Sequence, residues 1–117
     1  MKGDLVVIGD FEVVTLCGST RFEKQFREVQ KKLTLSGKIV ISPGFFSKAG
    51  DMDTWDNIDS DKRTEIKEML ICMHLKKIDL SDSIYVVNPG GYIGEECRRE
   101  INYALKQGKK ISYLEEP

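Results

Sequence analysis

The run EVVTLCGST, from Glu12 to Thr20, decides the fold because it joins a buried β-strand to the start of a helix. The apolar strand ends at Cys17, and the turn Gly18-Ser19-Thr20 follows it at once. Apolar side chains then recur every three or four residues, which predicts a helix from Thr20 to Ser36. A strand that leads directly into a helix is the first half of a β-α-β unit.

The same alternation of strand and helix continues along the rest of the chain. The sequence predicts strands at residues 38–42, 83–88 and 109–114, helices at 61–78 and 93–107, and a further short strand at 5–8. Strict alternation predicts parallel strands joined by right-handed crossovers. We therefore expect one α/β domain over residues 1–117, a three-layer flavodoxin-like or Rossmann-like sandwich. The expected sheet is mostly parallel, with four or five strands and the central order 2-1-3-4.

This strand order also predicts where a ligand binds. The order reverses between strands 1 and 3, and ligands of such sheets bind beyond the carboxyl ends of the strands at the reversal. A glycine-bearing loop follows each of these two strands, at residues 18–21 and 88–92. This paired placement predicts a binding crevice between the two loops.

The first loop has the residue types of a phosphate site. Backbone N–H groups at a helix start attract anions, the hydroxyls of Ser19 and Thr20 add donors, and Arg21 can clamp a phosphate. An N-cap beside a surface arginine explains the same residues equally well, and the second loop also fits a plain tight turn. The candidate substrate- and phosphate-binding residues of the loops and the helix that follows are Cys17, Gly18, Ser19, Thr20, Arg21, Asn88, Gly90, Gly91, Tyr92, Glu96 and Arg98.

The last helix carries the candidate nucleophile. Glu100 lies at the margin of the apolar stripe of that helix, whereas Glu95 is expected to face solvent with Arg99. A second carboxylate one turn earlier, Glu96, is expected to push the proton affinities of the two groups apart. A salt bridge from Glu100 to a neighbour is the alternative, and the spacing alone favours it.

His74 and Asp82 complete the candidate catalytic set. His74, the only histidine, lies between two apolar stripes, where a histidine is more often a core residue than a catalyst. Asp82 precedes a strand and also fits a cap or a turn. With one histidine and no closely spaced cysteine pair, we expect no metal site, and no sequence motif implies a cofactor. The cysteines are expected to be reduced packing residues, with a thiol nucleophile as a weaker alternative.

The long connection between residues 42 and 60 is a candidate base-binding loop. A connection of this length in a small domain is often functional. Phe45, Phe46 and Trp55 offer aromatic faces for a base. The aspartates of the loop lack the spacing of a calcium-binding loop, so we interpret them as solvating groups.

The composition argues against several classes of protein. Apolar residues make up 40% of the chain and charged residues 32%, which is too apolar for disorder. A formal net charge of -1 argues against a polymeric nucleic acid as partner. No apolar run is long enough to span a membrane, and the stretch 5–8 is too short for a signal peptide. We therefore expect a cytoplasmic protein without membrane contact.

Three segments carry a family resemblance: TLCGSTRF at 15–22, YIG at 92–94 and REINYALKQGK at 99–109. Together they resemble the nucleoside 2-deoxyribosyltransferase superfamily, over residues 13 to 114. Within it, the Gly-Ser-x-Arg turn is most similar to the 2′-deoxynucleoside 5′-monophosphate N-hydrolases. The helix end Glu-x-x-x-Ala-Leu-x-x-Gly-Lys is the most specific segment, and it places Glu100 at the position of the family's nucleophilic glutamate.

The resemblance implies a retaining reaction in two steps. Glu100 attacks C1′ of a (deoxy)ribose, the base leaves with a proton, and water or another base then releases the sugar. It also implies that residues 18–21, with Arg98, hold the 5′-phosphate of a small-molecule nucleotide. The protein is then expected to be a homodimer or a larger homo-oligomer. One departure stands out, because His74 occupies a position where related enzymes carry an aspartate.

We therefore expect a hydrolase that cleaves the N-glycosidic bond of a nucleoside 5′-monophosphate. One alternative is a deoxyribosyltransferase with the same chemistry. A second is a non-catalytic nucleotide-binding or sensing module, which the departure at His74 favours. A flavin mononucleotide protein is weaker, since no Ser/Thr-rich phosphate loop follows the first strand.

Overall fold

A parallel β-sheet lies at the centre of the computed structural model, which describes residues 9–117. The strands of this part of the chain are β1 (Val13–Cys17), β2 (Ile39–Ile41), β3 (Ser83–Val86) and β4 (Lys110–Tyr113). All neighbouring pairs run parallel, and the order across the sheet is β2-β1-β3-β4. This confirms the predicted α/β fold and its strand order. The additional strand predicted at 5–8 lies outside the described residues.

Helices connect these strands. They are α1 (Glu23–Leu35), α2 (Met52–Asp56), α3 (Ser60–Asp79) and α4 (Glu95–Lys106), with 3-10 turns at Thr20–Phe22 and Pro89–Gly91. α1 begins three residues later than predicted because the 3-10 turn replaces its first turn. α4 begins at Glu95 rather than at residue 93, because Gly94 is extended. α2 was not predicted, since its five residues bury none of their side chains and leave no apolar period.

The core has one cluster on each face of the sheet. Alternate residues of β1 and β3 face opposite sides, as expected for strands covered on both faces. The cluster between the sheet and α1 consists of Val14, Leu16, Phe26, Val29, Leu33 and Val87. The cluster between the sheet and helices α3 and α4 consists of Cys17, Ile78, Ile84, Val86, Cys97, Ile101 and Ala104. The molecule is therefore the predicted three-layer sandwich. Within residues 9–117, no helix is both long enough and apolar enough to cross a membrane.

Gly18 lets β1 turn close to β3. Its φ is +148°, and a Cβ atom at this position would lie 2.6 Å from the carbonyl oxygen of Val87. The amide of Val87 in turn donates a hydrogen bond of 2.8 Å to the carbonyl of Cys17. Only glycine combines this backbone conformation with so close an approach. From this point the chain leaves β1 toward α1, while β3 leads to α4 on the other face, which opens a crevice between the two loops.

We expect Gly18→Ala to destabilise the protein by about 3 kcal/mol, because it adds a steric clash to an unfavourable φ. Gly108→Ala is the matched control. Gly108 also has a positive φ, +72°, but nothing lies within 4 Å of its Cβ position. We expect a cost of about 1 kcal/mol there, from the backbone alone. Equal losses in chemical denaturation of the two variants would contradict the close approach at Gly18.

Candidate functional site

A cavity of about 510 Å³ lies at the carboxyl ends of β1 and β3, at the predicted reversal of strand order. Four segments form its walls: the turn after β1, the connection between β2 and α3, one side of α3, and the first turns of α4. A second cavity, of about 400 Å³, lies between α3 and α4. Ile71, Glu96, Arg99 and Glu100 line both cavities.

Glu100, His74 and Cys17 form a cluster at the base of the larger cavity. The Nε2 atom of His74 lies 3.5 Å from Oε1 of Glu100 and 3.4 Å from Sγ of Cys17. The side chains of His74 and Glu100 are 12% and 21% exposed, and Cys17 is fully buried. Each comes from a different element, since Cys17 ends β1, His74 lies on α3 and Glu100 lies on α4. The fold thus assembles a cluster that is not contiguous in the sequence.

Burial dominates the protonation of this cluster. It raises the pKa of Glu100 to about 7; the Cys17 thiol and Arg99 oppose this rise, and the Glu96 carboxylate adds to it. Burial also lowers the pKa of His74 to about 4, with a contribution from Lys77. The pKa of Cys17 is raised well above its usual value, by burial and then by Glu100. At neutral pH the cluster therefore contains a neutral imidazole, a thiol and a partly ionised carboxyl, so the contact between His74 and Glu100 is not a full ion pair.

Several predicted binding residues line this cavity. Gly18, Ser19 and Thr20 form one wall, and Tyr92 and Glu96 form part of another. Glu96 is also paired with Lys67, at 3.7 Å between Oε1 and Nζ. From the loop predicted to bind a base, Phe45 and Trp55 reach the cavity. Their rings meet edge to face, with centroids 6.0 Å apart.

Arg21 lies at the edge of this site rather than on its wall. Its guanidinium stacks on the ring of Tyr92, with 4.8 Å between its central carbon and the ring centroid. Its Nε donates a hydrogen bond of 3.1 Å to Oγ of Ser19. The side chain of Arg21, which was predicted to bind a phosphate, therefore contacts Tyr92 and Ser19, and both of these residues line the cavity.

The structure corrects the position of Asp82 and Phe46. Asp82 accepts a hydrogen bond of 2.8 Å from the amide of Val13, at the start of β1 and thus at the opposite edge of the sheet from the cavity. It caps a strand, which was the alternative interpretation. Phe46 packs on Phe26 with ring centroids 5.5 Å apart, in the core beneath α1, and is not part of the cavity wall.

The loop after β3 and Arg98 also differ from the prediction. The amide group of Asn88 is buried and makes two hydrogen bonds of 2.9 Å with the backbone of Glu115. The amide of Gly90 donates to the Glu115 carboxylate at 2.7 Å. Neither Asn88 nor Gly90 lines the cavity, and Gly91 is exposed beyond these contacts. Arg98 is exposed on α4 and does not line the cavity.

Charged residues that the sequence did not single out surround the cavity. Cationic side chains on its walls are Lys48, Lys67, Lys77 and Arg99. Lys77 donates hydrogen bonds of 3.0 Å to the carbonyls of Ser42 and Pro43, and burial lowers its pKa. Arg99 and Glu95, which were expected to face solvent, are exposed at the rim. Lys67, His74 and Lys77 are separated by seven and three residues. This spacing places them on one face of a helix, and it could have predicted that these cations lie near His74.

The arrangement suits chemistry at a carboxyl group that gains and loses its proton near neutral pH. That carboxyl faces a cavity with hydroxyl donors, aromatic rings and cationic side chains on its walls. Neither protein-family models nor curated proteins match this sequence.

Glu100→Gln tests the buried carboxyl through the pH dependence of stability. The folded protein keeps the Glu100 proton up to about pH 7, whereas the unfolded chain releases it near 4.5, so stability is lost as pH rises between these values. His74 acts in the opposite direction, since its proton binds the unfolded chain near 6.5 but the folded protein only near 4, so stability is lost as pH falls. In the wild type, the pH dependence of stability that comes from Glu100 opposes the one that comes from His74. Glu100→Gln removes only the contribution of Glu100.

We expect the stability of Glu100→Gln relative to wild type to increase by up to about 3 kcal/mol between pH 4.5 and pH 8. Urea denaturation at both pH values measures this difference. Glu28→Gln, an exposed position on α1, is the control and should show no such change. A stability difference that stays constant with pH for Glu100→Gln would show that this carboxyl ionises normally.

Proposed function

We propose that the protein is an N-glycosidase that hydrolyses the bond between base and sugar in a nucleoside 5′-monophosphate. The observation that carries this proposal is the partly buried carboxyl of Glu100, which lies on the cavity wall beside His74, at the reversal of strand order. A carboxylate with few water molecules around it is a suitable nucleophile for a glycosidic carbon. The resemblance of residues 99–109 to a family with a glutamate nucleophile supports the same assignment.

In the proposed first step, an oxygen of ionised Glu100 bonds to C1′ while the bond from C1′ to the base nitrogen breaks. The base takes a proton from water in the open cavity and leaves. In the second step, water bonds to C1′, the bond between C1′ and Glu100 breaks, and a proton is released to solvent. Two displacements at one carbon retain its configuration, and both pass through an oxocarbenium-like transition state. With another base in place of water, the same intermediate leads to transfer.

His74 acts in this scheme as a positioning residue rather than as an acid. Its low pKa, about 4, keeps the imidazole neutral at physiological pH. Only a small fraction of His74 is therefore protonated and able to donate a proton to the leaving base. The neutral ring instead restricts the position of the carboxyl, because Nε2 lies 3.5 Å from Oε1 of Glu100 and is held there by its hydrogen bond with Sγ of Cys17. This role is compatible with histidine at a position where related enzymes carry an acidic residue.

The walls of the cavity support the assignment of the nucleotide. Ser19 and Thr20 line the same cavity as the start of α4, whose N-cap, Gly94, gives no side-chain hydrogen bond to the helix amides. Free helix amides and hydroxyls together attract a phosphate. Lys48 adds positive charge from the opposite wall. The base then lies toward the aromatic rings of the β2–α3 connection, and C1′ lies near Glu100.

A non-catalytic nucleotide-binding or sensing module is the second candidate. It is favoured by the protonation of the cluster, because a Glu100 pKa of about 7 leaves the carboxyl only partly ionised at neutral pH. A module of this kind uses the same cavity and the same phosphate donors. It differs in releasing no base.

The first experiment is a chromatographic screen for free base after incubation with the common ribo- and deoxyribonucleoside 5′-monophosphates. We expect release from at least one nucleotide, and a fall of about 10³-fold or more in Glu100→Ala. Glu28→Ala, on the far face of the sheet, is the control and should keep full activity. Adding a second base distinguishes transfer from hydrolysis. Binding of a nucleotide without release of base would favour the sensing module.

We also propose that the chain forms a homodimer or a larger homo-oligomer through α3. Two large apolar side chains four residues apart, and therefore on one face of this helix, are markedly exposed: Met69 at 51% and Met73 at 45%. Ile71 is also exposed but lies on another face, where it lines the two cavities. Apolar groups concentrated on one surface helix are typical of an interface between protein subunits.

Light scattering after size exclusion tests this oligomer. We expect a mass at least twice the 13.3 kDa of one chain, and a shift toward the monomer in Met69→Lys, because a buried lysine opposes association. Met52→Lys is the matched control, since Met52 is similarly exposed, at 47%, but lies on α2. A monomeric wild type would contradict the proposal.

A further inference from the structure

The cluster at the base of the cavity also brings together three types of metal ligand. Cys17 Sγ, His74 Nε2 and a carboxylate oxygen of Glu100 all lie within 4.8 Å of one another. The sequence predicted no metal site, because metal ligands were expected at short spacings along the chain. Here the ligands are 57 and 26 residues apart, and only the parallel sheet and its crossovers bring them together.

The distances between these atoms fit a tetrahedral metal ion. With Zn–S near 2.3 Å and Zn–N or Zn–O near 2.0 Å, the ligand atoms of a tetrahedral site are about 3.3–3.5 Å apart. Two of the three separations, 3.4 Å from Cys17 to His74 and 3.5 Å from His74 to Glu100, agree with this value, and the third, from Cys17 to Glu100, is within 4.8 Å. An ion can therefore bind after small rotations of these side chains.

The donor set selects the kind of ion. A sulfur, an imidazole nitrogen and one carboxylate oxygen suit zinc and similar transition metals, whereas magnesium and calcium prefer sites made of oxygen atoms. His74 and Glu100 line the cavity, and Cys17 lies buried behind them. Three protein ligands below an open cavity leave the fourth coordination position for water or an anionic ligand.

We propose that Cys17, His74 and Glu100 bind one divalent transition metal ion of the zinc type, with its fourth coordination position open to the cavity. On binding, the metal displaces the thiol proton of Cys17 and the proton of the fraction of Glu100 that is not ionised, and these protons are released to solvent. This metal site stands independently of the proposed glycosidase. One consequence does rest on that function: Glu100 cannot bind the metal and attack C1′ at once, so Zn²⁺ inhibits release of the base.

Titration of the reduced full-length chain with Co²⁺ tests the site, since Co²⁺ replaces Zn²⁺ in such sites and absorbs light. We expect tetrahedral bands in the visible range and a thiolate charge-transfer band in the near ultraviolet. Both should saturate at one ion per chain and disappear when Zn²⁺ is added. Absence of the charge-transfer band in the wild type would overturn the proposal.

Variants assign the ligands. Cys17→Ser should abolish the charge-transfer band, whereas Cys72→Ser and Cys97→Ser, the matched controls, should keep it. His74→Ala should weaken Co²⁺ binding at least about tenfold, and it provides a second test if the buried Cys17→Ser does not fold. A band that survives in both Cys17→Ser and His74→Ala would overturn the assignment.

Activity measurements separate this proposal from the proposed function. Zn²⁺ that binds at one ion per chain and suppresses base release would support both. Binding of Co²⁺ in a protein without base release would support the metal site and count against the glycosidase. Base release without Co²⁺ binding would overturn the metal site alone.

Discussion

The pairing of β1 with β3 is the constraint on which the rest of the structure depends. Their register places Cys17 opposite Val86, so the two central strands end side by side. Beyond that edge the chain turns to opposite faces of the sheet, toward α1 from β1 and toward α4 from β3. This divergence creates the cavity, and it also brings the end of β1 against the helices that carry His74 and Glu100.

The chemistry of the site follows from burial more than from charge pairing. Glu100, His74 and Cys17 each lose hydration when the helices pack on the sheet. This loss raises the pKa of Glu100 and Cys17 and lowers the pKa of His74, so it favours the neutral form of each group. The nearby cations do not reverse this effect, because Lys77 adds to the fall in the pKa of His74 and Arg99 offsets only part of the rise in the pKa of Glu100. At neutral pH the cavity thus has at its base a polar cluster whose only charge is that of the partly ionised Glu100, and it has charged side chains at its rim.

The elements and the position of the cavity followed from the sequence because they depend on periodicity and on the order of strands. Glu100 could be assigned to a helix face, and the turn at Gly18 to a strand end, from spacing alone. Asp82 precedes β3, and this position alone places it at the amino end of the sheet. Its role as a cap of β1 comes from its contact with the amide of Val13. Phe46 has no regular period around it, so whether it reaches the core or the cavity could not be derived. Asn88 bonds to Glu115, 27 residues further along the chain, and the spacing of the two residues gives no sign of this contact.

The hydrogen bonds around Glu115 link the loop after β3 to the segment that follows β4. Asn88 and Gly90 both bond to this one residue, at the far side of the sheet from β2. The next residues of the loop lead to Tyr92, on which Arg21 stacks across the cavity mouth. Glu115 therefore connects the segment after β4 to the loop that carries Tyr92, and Tyr92 in turn holds Arg21. The carboxyl end of β4 is thus linked by contacts to the cavity mouth, although no residue of β4 lines the cavity.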